Sequence, residues 1–548
     1  MHEHARATRS SEFIDTQSLI ALCRRAAMRD GNAQTLEQLI DHLLVAPAQT
    51  WLSYAARLTA DGAVLTAAAL LQASLSRFPS RLDIRYQFAC ALWRADHVDR
   101  AESLLRDLIA ADPAYPGAAM QLATLLRDQG RYDAVAKVIE AADATIRHPA
   151  ARLDGLRFLA SCQRQHKALE LCERQLAARP ADAELLAMAG HFAQETGRFD
   201  EARRHFLAAV GNGIDLGKWF VPLSIADTQR YTNRDHADFT WFRQLADTAK
   251  LPRARASALF ALGKACDDIG DVERAAPAFA EANRLIRQDQ PWSRDAWCDR
   301  VDATIASAPT VALEASQPWT PVFIVGLPRT GTTLIAELMS RHPSLRNRGE
   351  LPTLDFIARR LAANGCTNDK AALAEAADLY AKHLRQDDAP AAIYVDKNPL
   401  NIRHVALAAA MFPNSRVVHC VRDLRDTALS IWMQYFANAD YGFAYDLGDI
   451  AGFAAGSRRL MEHWRRTVPI EILDVEYETF VENPSAGVQR IFDFLGIGEP
   501  DALSQRRESV ISSASRWQAR QPVYARSVGR WRNYAMCLPE LASLDDGA

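Results

Sequence analysis

The sequence predicts an all-α solenoid of helix-turn-helix units over residues 1–308, then an α/β domain with a central parallel sheet flanked by helices over 309–548. Three observations predict it. Small residues, glycines and prolines recur at a 34-residue period in the first part. The second part alternates short β-branched runs with amphipathic segments, and a glycine loop joins the first such run to its helix. At roughly 100–200 residues per domain, a 548-residue chain should hold two or more domains.

In the helical part, Ala67 and Ala101 lie 34 residues apart, as do Pro79 and Pro113. Ala168 and Pro180 repeat the same twelve-residue offset, and Ala202 follows Ala168 by 34. Gly62, Gly130, Gly197 and Gly270 each precede the matching small position (Ala67, Val135, Ala202, Ala275) by five residues. A small residue lets two helices approach, glycine ends the first, and proline closes the second without an amide donor. Residues Gly211–Lys250, with Trp219, Phe220 and Tyr231–Trp241, fall out of register as a divergent unit or an insertion. In period and small-residue placement, residues 50–290 resemble the tetratricopeptide repeat family, whose concave surface implies a binding role without naming a partner.

The α/β part opens with the strand-like run Pro321–Val325, which leads into Gly326-Leu327-Pro328-Arg329-Thr330-Gly331-Thr332-Thr333 and a helix carrying Leu334, Ile335, Leu338 and Met339. Strand, glycine loop and helix N-terminus form a geometry that cradles phosphate, giving a P-loop-like domain. The spacing of Gly326 and Gly331 equals that of the nucleotide-triphosphate P-loop, yet Thr332 stands where that loop needs lysine. Arg329, inside the loop, offers a fork for a terminal oxyanion group instead. A second unit runs from Ile393–Val395 into Asp396-Lys397-Asn398-Pro399. Only eight of the 64 basic residues are lysine, so Lys397 at a strand end is informative where an arginine would be less so. A third unit runs from Arg416–Val421 into Arg422, with Ser430 eight residues on, a charge and a hydroxyl suited to a second phosphate.

Together these units resemble the sulfotransferase family that uses 3′-phosphoadenosine 5′-phosphosulfate (PAPS), over about residues 320–535. Pro328-Arg329-Thr330-Gly331-Thr332-Thr333 matches its 5′-phosphosulfate loop, and Arg422 with Ser430 matches its 3′-phosphate site. Within the family the chain looks closest to the tyrosylprotein sulfotransferase branch. Arg348-Gly349-Glu350 sits where that branch places its general-base glutamate, and Lys397 matches its catalytic lysine. A carboxylate complementing the helix that starts near Pro352 is the structural alternative for Glu350. The arginine-rich segment Ser515–Arg532 is by resemblance the part that closes over the donor, with Ser515 near the leaving phosphate and Arg530 near the 3′-phosphate.

The resemblance therefore implies in-line sulfuryl transfer from PAPS to an acceptor hydroxyl, expected to be tyrosine of a peptide or protein recruited by the repeats. Glu350 would act as base, with Arg329, Lys397 and Ser515 stabilising charge. Carbohydrate or small-phenol sulfation, a P-loop kinase with Asp396 on magnesium, and a non-catalytic repeat adaptor stand as alternatives. No metal is implied, and the sequence offers no clear ligand cluster for one. A net charge of −3 gives no support to nucleic-acid binding through a broad basic surface. No secretory signal and no apolar run long enough to span a membrane are visible. Nine scattered cysteines fit a reducing cytoplasm, so a cytoplasmic enzyme is expected, and a homodimer is compatible with every reading above.

Overall fold

The computed structural model describes residues 33–145, 149–498 and 523–544. By compactness the chain forms one unit of residues 1–128 with 133–155, and a second of 129–132 with 156–548.

The first unit consists of successive helices, among them Ala48–Ala60, Val64–Arg77, Leu82–Arg94 and Val98–Ala111, each packed on the next. The sequence period explains the packing. Ala67 and Ala101 are fully buried at helix contacts, and Pro79 and Pro113 each follow directly on a helix C-cap. Gly62 turns the chain between paired helices at φ +81°, a conformation in which a Cβ would be strained.

The second unit begins with the same design. Ala168, Ala202 and Ala275 are fully buried, Pro180 follows the helix Gln165–Ala178 and its C-cap, and Gly197 takes φ +86°. The out-of-register stretch holds two short helices, Leu216–Trp219 and Val221–Ala226, broken at Phe220 with φ +49°. Helices α1 (Pro252–Asp268) and α2 (Val272–Asp289) follow as a hairpin, and the last of the helical series ends at Ala306.

A five-stranded, all-parallel sheet comes next, in the order β2-β3-β1-β4-β5. Its strands are β1 (Thr320–Gly326), β2 (Leu345–Asn347), β3 (Ile393–Asp396), β4 (Arg416–Val421) and β5 (Glu471–Glu476). Central β1 is buried from Pro321 to Gly326, as an apolar run flanked on both faces must be. Helix α3 (Thr332–Met339) lays Ile335, Ala336 and Met339 on the sheet beside Val322, Ile324, Val395 and Val418. Helix α4 (Thr353–Ala363) follows β2, and α5 (Leu424–Trp432) follows β4.

The architecture changes between Ala306 and Thr320, but the packing does not break there. Asn283 of α2 donates to the Trp432 carbonyl (2.8 Å), and Trp297 stacks on Phe453 with centroids 4.6 Å apart. Arg287 pairs with Asp446 and Asp449 at 2.5 and 2.8 Å. The expected division at 308 therefore marks a change of secondary structure. The compact boundary lies near 155, because the later helices bury side chains against the α/β part. Among the described residues no helix is long and apolar enough to cross a membrane.

Candidate functional site

Every strand of the sheet delivers a polar or aromatic side chain at its carboxyl end, the edge where open α/β sheets bind ligands. The loop Leu327–Gly331 follows β1, and Gly349-Glu350 follows β2. Lys397, Arg422 and Tyr477 stand immediately after β3, β4 and β5.

The loop owes its shape to three residues in the left-handed half of conformational space: Gly326 (φ +149°), Arg329 (φ +69°) and Gly331 (φ +94°). Arg329 holds that conformation without being glycine, which costs energy and is found where a site is over-determined by its surroundings. The Thr330 hydroxyl closes the loop on the Leu327 carbonyl at 2.8 Å. A Cβ on Gly331 would lie 2.5 Å from the Tyr477 ring, so the loop and Tyr477 touch at a distance only glycine permits.

The Arg422–Ser430 pair meets at Arg329. Arg329 Nε donates to Ser430 Oγ (3.1 Å), while Arg422 Nη1 donates to the Arg329 carbonyl (2.9 Å). Arg422 Nη2 reaches the Ser527 carbonyl (2.7 Å), and the guanidinium lies 4.5 Å from the Tyr477 ring centroid. The Tyr477 hydroxyl and Ser527 Oγ are 3.0 Å apart. Burial pushes the Arg329 guanidinium down to about 10; Arg422 and Arg530 push the same way, and Tyr524 and Tyr477 oppose them. Cations gathered so closely gain most from an anion placed among them. Arg422 Nε is buried with no hydrogen-bond partner among the described residues, and Arg422 stands behind Arg329 and does not itself line the cavity described below. These residues fit a ligand that carries negative charge.

Glu350 and Lys397 form a second cluster. The nearly buried Lys397 ammonium donates to Glu350 Oε1, and the Lys397 amide donates to the Gly349 carbonyl at 2.8 Å. Arg348 clamps this turn from behind with bonds to Asp388 (2.7 and 2.8 Å) and to the Leu384 and Arg385 carbonyls. Helix α4 has Pro352 as its N-cap, so Glu350 is not its cap. Asp396 is fully buried and accepts from Tyr380 (2.5 Å), Asn401 (2.9 Å) and the Leu351 amide (3.3 Å). Burial raises its carboxyl to about 7 against those donors.

Arg329, Thr332, Thr333, Glu350 and Ser430 line one cavity of about 780 Å³. Tyr524, Ser527 and Arg530 close it from the C-terminal segment, and Trp219, Phe220, Arg253 and Asp267 from the helices. Phe220 stacks on Tyr435 with centroids 3.6 Å apart, which gives the kinked, out-of-register helices a place in the wall. Arg530 pairs with Asp267 of α1. Ser515 lies outside the described residues.

Sequence reasoning missed Tyr477, Asp426 and Asp267. Buried Asp426, on α5, accepts from the amides of Gly529 (2.6 Å) and Trp531 (2.8 Å) and so ties down the C-terminal segment. An aromatic directly after a fifth strand was the only local signal for Tyr477. Away from this cavity, Glu173, Glu201 and His205 offer ligand atoms within 4.8 Å of one another, but Arg198 already supplies the positive charge at 3.6–4.0 Å from both carboxylates.

Residues 321–501 match the model of the sulfotransferase family. An uncharacterized protein of Aquifex aeolicus is 28% identical over 55% of this chain and 43% of its own length. The protein-tyrosine sulfotransferase of Drosophila melanogaster is 26% identical over 34% of this chain and 40% of its own. Protein-tyrosine sulfotransferase 1 of Danio rerio is 25% identical over 41% and 71%. The chain thus spans less than half the length of the first two relatives. The sulfotransferase domain of the Synechococcus olefin synthase aligns over 43% of this chain and 99% of its own, at 20% identity and a TM-score of 0.31.

Proposed function

We propose that this chain is a sulfotransferase that moves a sulfuryl group from PAPS to an acceptor hydroxyl. The observation that carries the reading is the meeting of Arg329, Arg422 and Ser430 at a strand-loop-helix turn that shares a cavity with the carboxylate of Glu350. The match of residues 321–501 to the family supports it from sequence.

In this reading the loop amides and Arg329 hold the phosphosulfate, and Arg422 with Ser430 and Arg530 hold the 3′-phosphate. Lys397 fixes the Glu350 carboxylate, which takes the acceptor proton as the acceptor oxygen attacks sulfur. The sulfur–oxygen bond to the 5′-phosphate breaks, and 3′-phosphoadenosine 5′-phosphate (PAP) leaves with its electron pair. The transfer itself needs no metal in this scheme, since fixed cations meet the charge on the leaving group.

For the acceptor we favour tyrosine in a peptide. Phe436 and Tyr441 stack in the cavity wall with centroids 4.6 Å apart, and Glu350 adds its charge to the burial that raises the Tyr441 phenol, so carboxylate and aromatic wall are neighbours. An aromatic wall beside a base suits a phenol. Radiolabelled PAPS offered with tyrosyl peptides, small phenols and glycans tests the choice. Label on the peptides is the expected result; label on glycans alone overturns the acceptor, and ATP binding in preference to PAP overturns the donor.

A further inference from the structure

The helices preceding the α/β part are more than a neighbouring module, because one of their carboxylates reaches the cationic cluster. Asp267 lies near the C-terminal end of α1, and its Oδ1 accepts from Arg530 and from the Tyr534 hydroxyl at 2.7 Å. The backbone on either side of Arg530 is held independently, by Asp426 on the amides of Gly529 and Trp531. Asp426 thus sets where the Arg530 main chain runs, and Asp267 sets where its side chain points. The nearby Lys264 is matched by Asp268 (2.6 Å) and the Gln229 carbonyl, and among the described residues Arg530 is the cation paired with Asp267. Asp267, Arg530, Arg329 and Ser430 all border the same cavity.

We propose that Asp267 is a positioning residue for the nucleotide donor, supplied by the helical part of the chain. The proposal rests on the donor reading above. A guanidinium is a planar fork with five donors, so one edge can remain on a carboxylate while the other meets a phosphate. Holding the long Arg530 side chain in place before the donor arrives removes an entropy cost from binding. The carboxylate also lets a third guanidinium stand near Arg329 and Arg422 before an anion is present.

The test is a double-mutant cycle on the full chain, read as PAP affinity by calorimetry, with adenosine 5′-phosphate as the second ligand. Asp267→Asn should weaken PAP binding about 10–100-fold, taken by analogy with the loss of a residue that orients a metal ligand. Adenosine 5′-phosphate affinity should change little, and Asp267→Glu should restore most of the loss. In an Arg530→Ala background Asp267→Asn should have no further effect, because it acts through that arginine. Equal losses for both nucleotides, or an undiminished effect in the Arg530→Ala background, would assign Asp267 to the fold. Tighter PAP binding by Asp267→Asn would make the carboxylate a competitor for Arg530 and overturn the proposal as well. A wild-type chain that binds no PAP removes the donor reading itself. A wild-type chain that binds PAP with Asp267→Asn unchanged removes only this inference.

Discussion

Replacing Arg422 by alanine separates ligand reading from structural support more sharply than any other single change. The side chain makes two hydrogen bonds to backbone carbonyls, Arg329 (2.9 Å) and Ser527 (2.7 Å), and lies over Tyr477. Those two bonds use two of the five guanidinium N–H groups, and in the proposed reading the remaining donors meet the 3′-phosphate. A charge-assisted bond of this kind is worth about 1.5–3 kcal/mol, which is about 10- to 150-fold in affinity. Calorimetric titration with PAP should show that loss. Adenosine 5′-phosphate lacks the 3′-phosphate and should bind the variant nearly as it binds the wild type. Thermal melting should fall as well, because two carbonyls lose their donors, but that fall is common to both ligands and cancels in their ratio. If both nucleotides weaken equally, Arg422 shapes the loop through Arg329 and does not read the 3′-phosphate.

Gly331→Ala should be destabilising through two additive routes. A left-handed backbone costs a residue with a Cβ about 1–2 kcal/mol, and the Cβ would press on Tyr477 at 2.5 Å, adding about 1–3 kcal/mol of overpacking. Thermal melting reads the sum, and PAP affinity should fall in parallel as Tyr477 is displaced from Arg422; an unchanged melting temperature would contradict the loop geometry. Asp355, which does not line the cavity, offers a pH test. The hydrogen bond from His404, with the neighbouring Arg403 and Arg359, holds its carboxyl down to about 2. A depressed carboxyl stabilises the fold above its unfolded value near 4, and that stability disappears as pH falls through about 2. Asp355→Asn should therefore cost about 2 kcal/mol at pH 7, with the deficit against wild type shrinking between about pH 4 and pH 2. A deficit that does not vary with pH would point to packing alone.

Features set by neighbours in the chain were legible in the sequence. The 34-residue period reflects helix pairs closing on Ala67, Ala168 and Ala202, so a local pattern carried the information. The β1 loop announced itself because strand, turn and helix are contiguous. Glu350 was reached through the family resemblance and Lys397 through its strand end and the scarcity of lysine, and no pattern in the sequence joined the two, 47 residues apart, as an ion pair. Asp426 and Gly529 are 103 residues apart, and Asp267 and Arg530 are 263 apart. Such pairs depend on how helices dock, and one aspartate looks like any other until they do. The expected boundary at 308 marks where secondary structure changes type, and the sequence carried no signal that α2 packs on Trp432 beyond it.

The central claim is that Glu350 takes a proton from an acceptor hydroxyl while fixed cations hold a sulfuryl donor. Single-turnover transfer of radiolabelled sulfur by wild type and Glu350→Gln, with PAP affinity measured on the same preparations, tests it directly. Glutamine keeps the size and can still accept a hydrogen bond from Lys397, so donor affinity should be nearly unchanged while transfer slows by about 10²–10⁴-fold. The deficit should shrink along a series of increasingly acidic phenols, which need less help in losing a proton. Transfer that proceeds at the wild-type rate in Glu350→Gln, or that is equally impaired for every phenol in the series, would contradict the account.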